Sequence, residues 1–241
     1  MSEPSLRRVD FGYFVRPAQE TGTGYPRVEA LLGYAIVYPS GVLLFDTGLA
    51  EGDAEADARY KPVRRPLDPA LREAGIDLGD VRWIANCHLH FDHCGGNPAF
   101  AGRPVFVQAV ELETARTTKD YTLLQAIDFP SANYEELDGE REILPDTLLI
   151  PTPGHTNGHQ VLALRHSDGT IILAGQAHQS AFDYGSEQLA WRAGGENQVH
   201  DEALAYQPWI DRLQRLDPRQ VVFAHDYSIW TPASWNERVR P

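Results

Sequence analysis

The chain has 241 residues, enough to bury a substantial core in one large domain or two small ones. A formal charge of −13, from 34 acidic against 21 basic side chains, argues against a nucleic-acid partner, whose backbone needs a Lys/Arg footprint. No window approaches the length of a membrane span, and 42% hydrophobic with 23% charged residues is ordinary for a soluble globular protein.

Residues 5–16 read as a first strand, with Val9, Phe11, Tyr13 and Val15 alternating against polar or small neighbours. Leu31–Tyr38 and Val42–Phe45 form a hairpin through Pro39-Ser40-Gly41, and the second strand opens onto Asp46-Thr47-Gly48. An acid at a strand end beside a glycine turn suits either a local turn or the orientation of a metal-bound imidazole; the histidine-rich run some forty residues downstream favours the second. Residues 51–68 are polar, with no clear period, and read as a mobile connection or a lid. Their basic cluster, Arg59 to Arg65, reads as a solvated loop. Pro69–Ala74 is a short helix candidate capped by Asp68 and ended by Gly75.

Val81–Ala85 is an apolar strand that runs into Asn86-Cys87-His88-Leu89-His90-Phe91-Asp92-His93-Cys94-Gly95-Gly96. Three imidazoles and a carboxylate within six positions supply the donors that suit zinc and similar divalent ions. On an extended backbone His88 and His90 point to the same side. Asp92 and His93 are adjacent and diverge, as they would in serving a second ion. Cys87 and Cys94 are the only cysteines, and two free thiols fit a reducing compartment better than a disulfide. With no leader-like segment at Met1–Ser5, the expected location is cytoplasmic.

Next come a strand at Val105–Val107 and a helix over Val110–Thr118; residues 119–142 have no clear pattern and are placed over the site mouth. Thr147–Ile150 is a strand running into Pro151 to His159. Val161–Leu164 and Thr170–Leu173 form a second hairpin, turned by Ser167-Asp168-Gly169 and opening onto Gln176 and His178. Glu202–Leu216 has helical spacing, Pro218 stops it, and a last strand, Val221–Ala224, delivers His225-Asp226. Strand ends carrying His or Asp in both halves predict a two-layered sheet core flanked by helices.

Five of nine histidines lie just beyond predicted strand ends, where such sheets gather their sites. His88, His90 and His155 make a three-nitrogen set with an open fourth position, as a catalytic ion needs. Asp92, His93 and His225 make the neighbouring set. His159 is favoured as a hydrogen-bonding support, while His166 and His200 read as surface residues.

The His88-Leu-His90-Phe-Asp92-His93 run resembles the metallo-β-lactamase-fold hydrolases, together with Thr152-Pro-Gly-His155-Thr, Leu173-Ala-Gly-Gln176 and Phe223-Ala-His225-Asp226. It is most similar to the N-acyl homoserine lactone lactonase branch. The resemblance implies an α+β chain, a four-layered αββα sandwich formed as a single domain over residues 1–241. It also implies a dinuclear zinc centre on His88, His90, Asp92, His93, His155 and His225, with Asp46 orienting a ligand. The implied activity is opening of a lactone ring by a metal-held hydroxide, a quorum-quenching reaction, with Asp92 passing the proton to the leaving oxygen. Expected partners are a small lactone or ester, with no nucleic acid and no membrane, in a monomer or homodimer.

Two positions depart from that family. Gln176 stands where a bridging aspartate is expected, which weakens the second zinc and makes Gln176 a substrate-contact candidate. Gln179 stands where a carbonyl-polarising tyrosine is expected, leaving Tyr184 and Tyr206 as replacements. The rival enzyme reading is a thioesterase or other small-ester hydrolase on the same fold. A rival of another class is a catalytically degenerate metabolite sensor, which Gln176 favours and the six remaining ligands oppose.

Overall fold

A computed structural model describes residues 3–197 and 207–232. The chain divides into two compact units, Met1–Asp138 with Thr156–Gly158, and Gly139–His155 with His159–Pro241. The first unit holds β1 (Ser5–Arg16), β2 (Arg27–Tyr38), β3 (Gly41–Phe45), β4 (Val63–Arg64), β5 (Val81–Ala85), β6 (Pro104–Gln108) and β7 (Asn133–Leu137). Its helices are α1 (Ala54–Tyr60), α2 (Leu67–Glu73), α3 (Ala109–Thr117) and α4 (Leu124–Ile127). The second unit holds β8 (Arg141–Leu144), β9 (Thr147–Pro151), β10 (Gln160–His166), β11 (Gly169–Leu173) and β12 (Pro218–Val222), with α5 (Ala181–Asn197) and α6 (Ile210–Gln214).

Strand direction decides where each unit can gather a site. The first sheet has the order β4-β1-β2-β3-β5-β6-β7. β3, β5 and β6 are mutually parallel, so the Asp46 turn and the histidine loop leave the same edge. The second sheet has the order β12-β11-β10-β9-β8. β11 and β12 are parallel, and β9 shares their direction because both β9 and β11 run antiparallel to β10. The exits toward His155, Gln176 and His225 therefore share one edge of that sheet.

Both hairpins form where the turn residues place them, with Tyr38 opposite Gly41 and His166 opposite Gly169. The simple alternation expected in β1 does not hold. Between Asp10 and Tyr13 two residues of β1 face one of β2, a bulge that turns Phe14 inward and leaves Tyr13 at the surface. Burying Phe14 is worth roughly 1.5–3 kcal/mol. Gly12 makes the bulge possible: its φ is +105°, and a Cβ there would lie 1.9 Å from the Val63 carbonyl oxygen.

The polar segment 51–68 is not a structureless connection. It carries α1, capped by Asp53, whose side chain accepts from the Glu55 and Ala56 amides. No residue of α1 is buried, so it has no apolar stripe to read. The basic cluster within it forms ion pairs, Arg59 with Glu20, Arg64 with Asp57, and Arg65 with Glu73, while the Arg59 and Arg65 side chains stay exposed, as expected of a solvated loop. α2 starts two residues before its predicted position, at Leu67, so Asp68 lies in the first turn and not at the cap. Residues 119–142 resolve into α4, β7 and the start of β8.

α5 has no counterpart in the sequence pattern. Its start carries a Ser-x-x-Asp cap, with Ser180 Oγ donating to Asp183 and accepting the Asp183 amide. Asp226 adds a second cap by accepting from the Ala181 amide at 2.9 Å. The predicted helix Glu202–Leu216 begins outside the described residues, and its described part is α6. The last strand ends at Val222, two residues early. The first unit is packed around Val9, Phe14, Leu44, Leu71 and Ile84, with a second cluster of Leu89, Val107, Leu112 and Ile127 under α3 and α4. The second unit is packed around Ile150, Val161, Ile172, Ile210 and Phe223.

Candidate metal centre

The histidine loop is held by backbone and side-chain hydrogen bonds before any ligand is considered. At the end of β3, Thr47 donates its amide to the His93 carbonyl at 2.8 Å, and the Gly95 amide donates to Gly48 at 2.8 Å. Asn86 Nδ2 donates to the same His93 carbonyl at 3.0 Å, and Asn97 Nδ2 donates to Asn86 Oδ1 at 2.9 Å. Gly95 is required sterically, since a Cβ there would lie 1.9 Å from the Ala50 amide nitrogen. A loop so tied presents its side chains in fixed directions, as ligation demands.

Asp46 orients the loop directly. Its φ of +62° turns the carboxylate back toward β5. Oδ1 accepts from the Cys87 amide at 2.8 Å, and Oδ2 pairs with His93 Nδ1 at 3.0 Å. This is the orienting role expected of Asp46: a proton on Nδ1 leaves the Nε2 lone pair for a ligand. His93 Nε2 lies 3.6 Å from Asp92 Oδ2. His88 Nε2 and His90 Nδ1 lie 2.9 Å apart, the same-side placement expected of them. Two nitrogens on one tetrahedral zinc, at bonds of about 2.1 Å, sit about 3.4 Å apart, so the pair would open by about half an ångström to share an ion.

Burial keeps the His90 imidazole below its ordinary pKa, against the opposing pull of Asp92, and so keeps it neutral and able to ligate. Burial pushes the Cys94 thiol up to about 12, which removes it as a thiolate donor. Both cysteines are free, as expected. The imidazole and carboxylate donors of the first unit suit a divalent ion of the zinc type, and the buried Cys87 Sγ lies beside them, 3.1 Å from His88 Nδ1 and 3.3 Å from His93 Nδ1.

In the second unit His155 sits exposed on the loop after β9, and His225 is buried just beyond β12. The parallel ladder continues past the strand ends: Ala174 donates to Val222 at 2.8 Å and Ala224 to Gly175 at 3.0 Å. That continuation carries Gln176 and His225 out along one edge. His159 is the support it was read as. Its Nε2 accepts from the Gln176 amide at 3.1 Å, which places the proton on Nδ1, 2.8 Å from Thr152 Oγ1. Gln176 is buried, with its side-chain amide 3.5 Å from Gln179 Oε1.

Tyr184 corrects the expectation of a substrate contact. It is 0% exposed, its ring packs on Trp230 and Phe223, and its hydroxyl accepts from Gln214 Nε2 at 2.8 Å. A phenol enclosed in the core of its unit has no face to offer a substrate. Tyr206 and His200 lie outside the described residues. Of the aromatic residues Phe11–Phe14, Phe11 lines a cavity of about 290 Å³ with Leu49, Arg64, Leu67 and Gln125, and no candidate ligand lines it.

Residues 32–225 match the model of the metallo-β-lactamase superfamily. The chain belongs to that superfamily. Among its superfamily relatives, an N-acyl homoserine lactonase of Bacillus sp is 31% identical over 167 residues, 64% of this chain and 66% of the relative. The match spans just under two thirds of that relative's length, and about three fifths of the lengths of those from Bacillus cereus and Bacillus thuringiensis. In structure, an N-acyl homoserine lactone hydrolase solved with N-hexanoyl-L-homoserine at its catalytic metal centre superposes with a TM-score of 0.72. It is 24% identical, and the match covers 100% of this chain and 98% of that one. AidC, a dizinc quorum-quenching lactonase, superposes at 0.65 with 15% identity, over 97% of this chain and 92% of its own. The chain thus has the metallo-β-lactamase fold that the resemblance implied, a mixed α and β architecture with two sheets.

Sequence reasoning missed Glu111. It is fully buried in the first turn of α3 and accepts from the Leu89 amide at 2.8 Å, the Tyr121 hydroxyl at 2.5 Å and Thr156 Oγ1 at 2.7 Å. Its one signal is position, four residues before Ala115 on the buried face of the helix. Among the described residues no helix is long and apolar enough to cross a membrane.

Proposed function

We infer that the chain is a metal-dependent hydrolase that opens the ring of an N-acyl homoserine lactone-like substrate, with residues 1–241 acting as one catalytic domain. The observation that carries this is the oriented histidine loop: His88 Nε2 and His90 Nδ1 converge to 2.9 Å while Asp46 holds His93. Family membership and the lactonase relatives support it. His88, His90 and His155 would hold one ion, and Asp92, His93 and His225 a second; zinc suits this nitrogen and carboxylate set. Bound divalent ions supply Lewis acidity toward a carbonyl oxygen and lower the pKa of water.

The chain's own residues do the rest. Asp46 keeps His93 in one tautomer. Asp92, 6% exposed, would pass the proton to the leaving alkoxide oxygen. Gln176 contributes an amide where a bridging carboxylate would add a negative charge, so the second ion is held less tightly than the first. It remains a candidate contact for the substrate's polar atoms.

Metal content per chain, measured on protein purified without added metal, tests this with lactone hydrolysis on the same sample. Metal together with turnover supports the reading. Metal with no turnover of any lactone overturns it. In Asp92→Asn the expected result is a loss of turnover of 10²-fold or more, in keeping with the removal of a general acid–base; full activity would remove Asp92 from the mechanism.

A further inference from the structure

Glu111 is a carboxylate with no exposed surface, and its three hydrogen-bond donors come from three separate places in the chain. The Leu89 amide is the peptide between His88 and His90. The Tyr121 hydroxyl belongs to a ring that packs on the His90 imidazole, centroids 4.6 Å apart. Thr156 comes directly after His155 in the chain. Gly158 lets this segment close onto the helix, since a Cβ there would lie 2.4 Å from Glu111 Cβ. Three neutral donors converging on one buried carboxylate tie the three segments together at one point.

An acid in the first turn of a helix is favoured by the helix dipole, which explains the residue type but not its burial or its partners. Among the described residues no ion pair involves Glu111. Burying a carboxylate among neutral donors alone costs stability, and perturbing arrangements of that kind cluster at functional sites.

We propose that Glu111 is a positioning residue for the metal centre: it fixes the peptide between His88 and His90, braces the His90 ring through Tyr121, and through Thr156 anchors the segment that carries His155. The proposal rests on the metal-hydrolase reading above. It does not depend on lactone being the substrate.

The test is zinc affinity by competition with a chromophoric chelator, together with the visible absorption of the cobalt-loaded protein, on the full chain. Glu111→Gln keeps the volume but turns an amide N–H₂ toward the donors. Its expected zinc affinity is about 10–100-fold below wild type, as for loss of a group that orients a ligand, with an altered cobalt spectrum. Thr156→Val is expected to weaken zinc roughly tenfold, and Thr156→Ser, which keeps the hydroxyl, to restore it. Wild-type zinc affinity and an unchanged cobalt spectrum in Glu111→Gln overturn the proposal, whatever happens to its melting temperature. If Glu111→Gln fails to fold, equal zinc affinities for Thr156→Val and Thr156→Ser overturn it. Because the readout is metal affinity, failure of the wild-type chain to hydrolyse lactones bears on the proposed activity and not on Glu111.

Discussion

Glu29 and Glu111 are buried to the same degree in the same unit, at 1% and 0% exposure, and keep opposite company. Glu29, in β2, is clamped by two guanidiniums: Arg16 Nε at 2.7 Å and Arg27 Nη2 at 2.5 Å. Among the described residues, Glu111 accepts from a peptide N–H and two hydroxyls. The first arrangement neutralises its own charge and ties the ends of β1 and β2 together, so it is complete as folded. The second ties the histidine loop, Tyr121 and Thr156 to one helix start through neutral donors. The difference teaches that burial alone does not say what a charged side chain is for; its partners do.

The strongest way to break the comparison is to remove a proposed ligand. His88→Ala is expected to lower zinc affinity by more than the roughly 100-fold that marks the upper end for an orienting group, measured by chelator competition. A smaller loss would place His88 among the supports. Glu29→Ala, which strands two partly buried guanidiniums, is expected to cost about 3 kcal/mol in denaturant unfolding and to leave zinc affinity unchanged. A fall in metal binding there would erase the distinction between the two glutamates.

Gln176→Asp sharpens it from the other side by supplying a carboxylate where the proposed second ion would lie. The expected gain is roughly tenfold in affinity for the second ion, read as metal per chain at limiting zinc. No gain would mean that Gln176 lies away from that ion. The smallest effect concerns Glu187, which is paired with the titratable His178. Burial raises the Glu187 pKa, but the His178 bond and the Gln207 amide outweigh it, so the folded value lies below the ordinary one. A depressed carboxylate stabilises the fold above its unfolded pKa of about 4.5 and loses that contribution as pH falls through the folded value. Glu187→Gln is therefore expected to flatten the acid side of a melting-temperature profile by about 2 °C or less, with the difference from wild type vanishing at the lowest pH. A difference that grows toward low pH would contradict the sign.

What the sequence by itself determined was local. Alternation and turn residues placed both hairpins and the strand before the histidine loop, because strand period and turn chemistry are written in neighbouring residues. Ligand spacing marked the loop, and Asp46 at a strand end was legible as the partner of an imidazole. The tertiary structure decided what depends on residues far apart. The bulge at Gly12 exists because two strands pair out of step, and α1 buries nothing that a pattern could report. Tyr184 became core, rather than a wall of the site, once Trp230 and Gln214 closed on it. Glu111 gained its meaning from donors 22 and 45 positions away, which no local window contains. The chemistry of ligands can be read from residue types, but the joints that hold them arise only when the chain has closed.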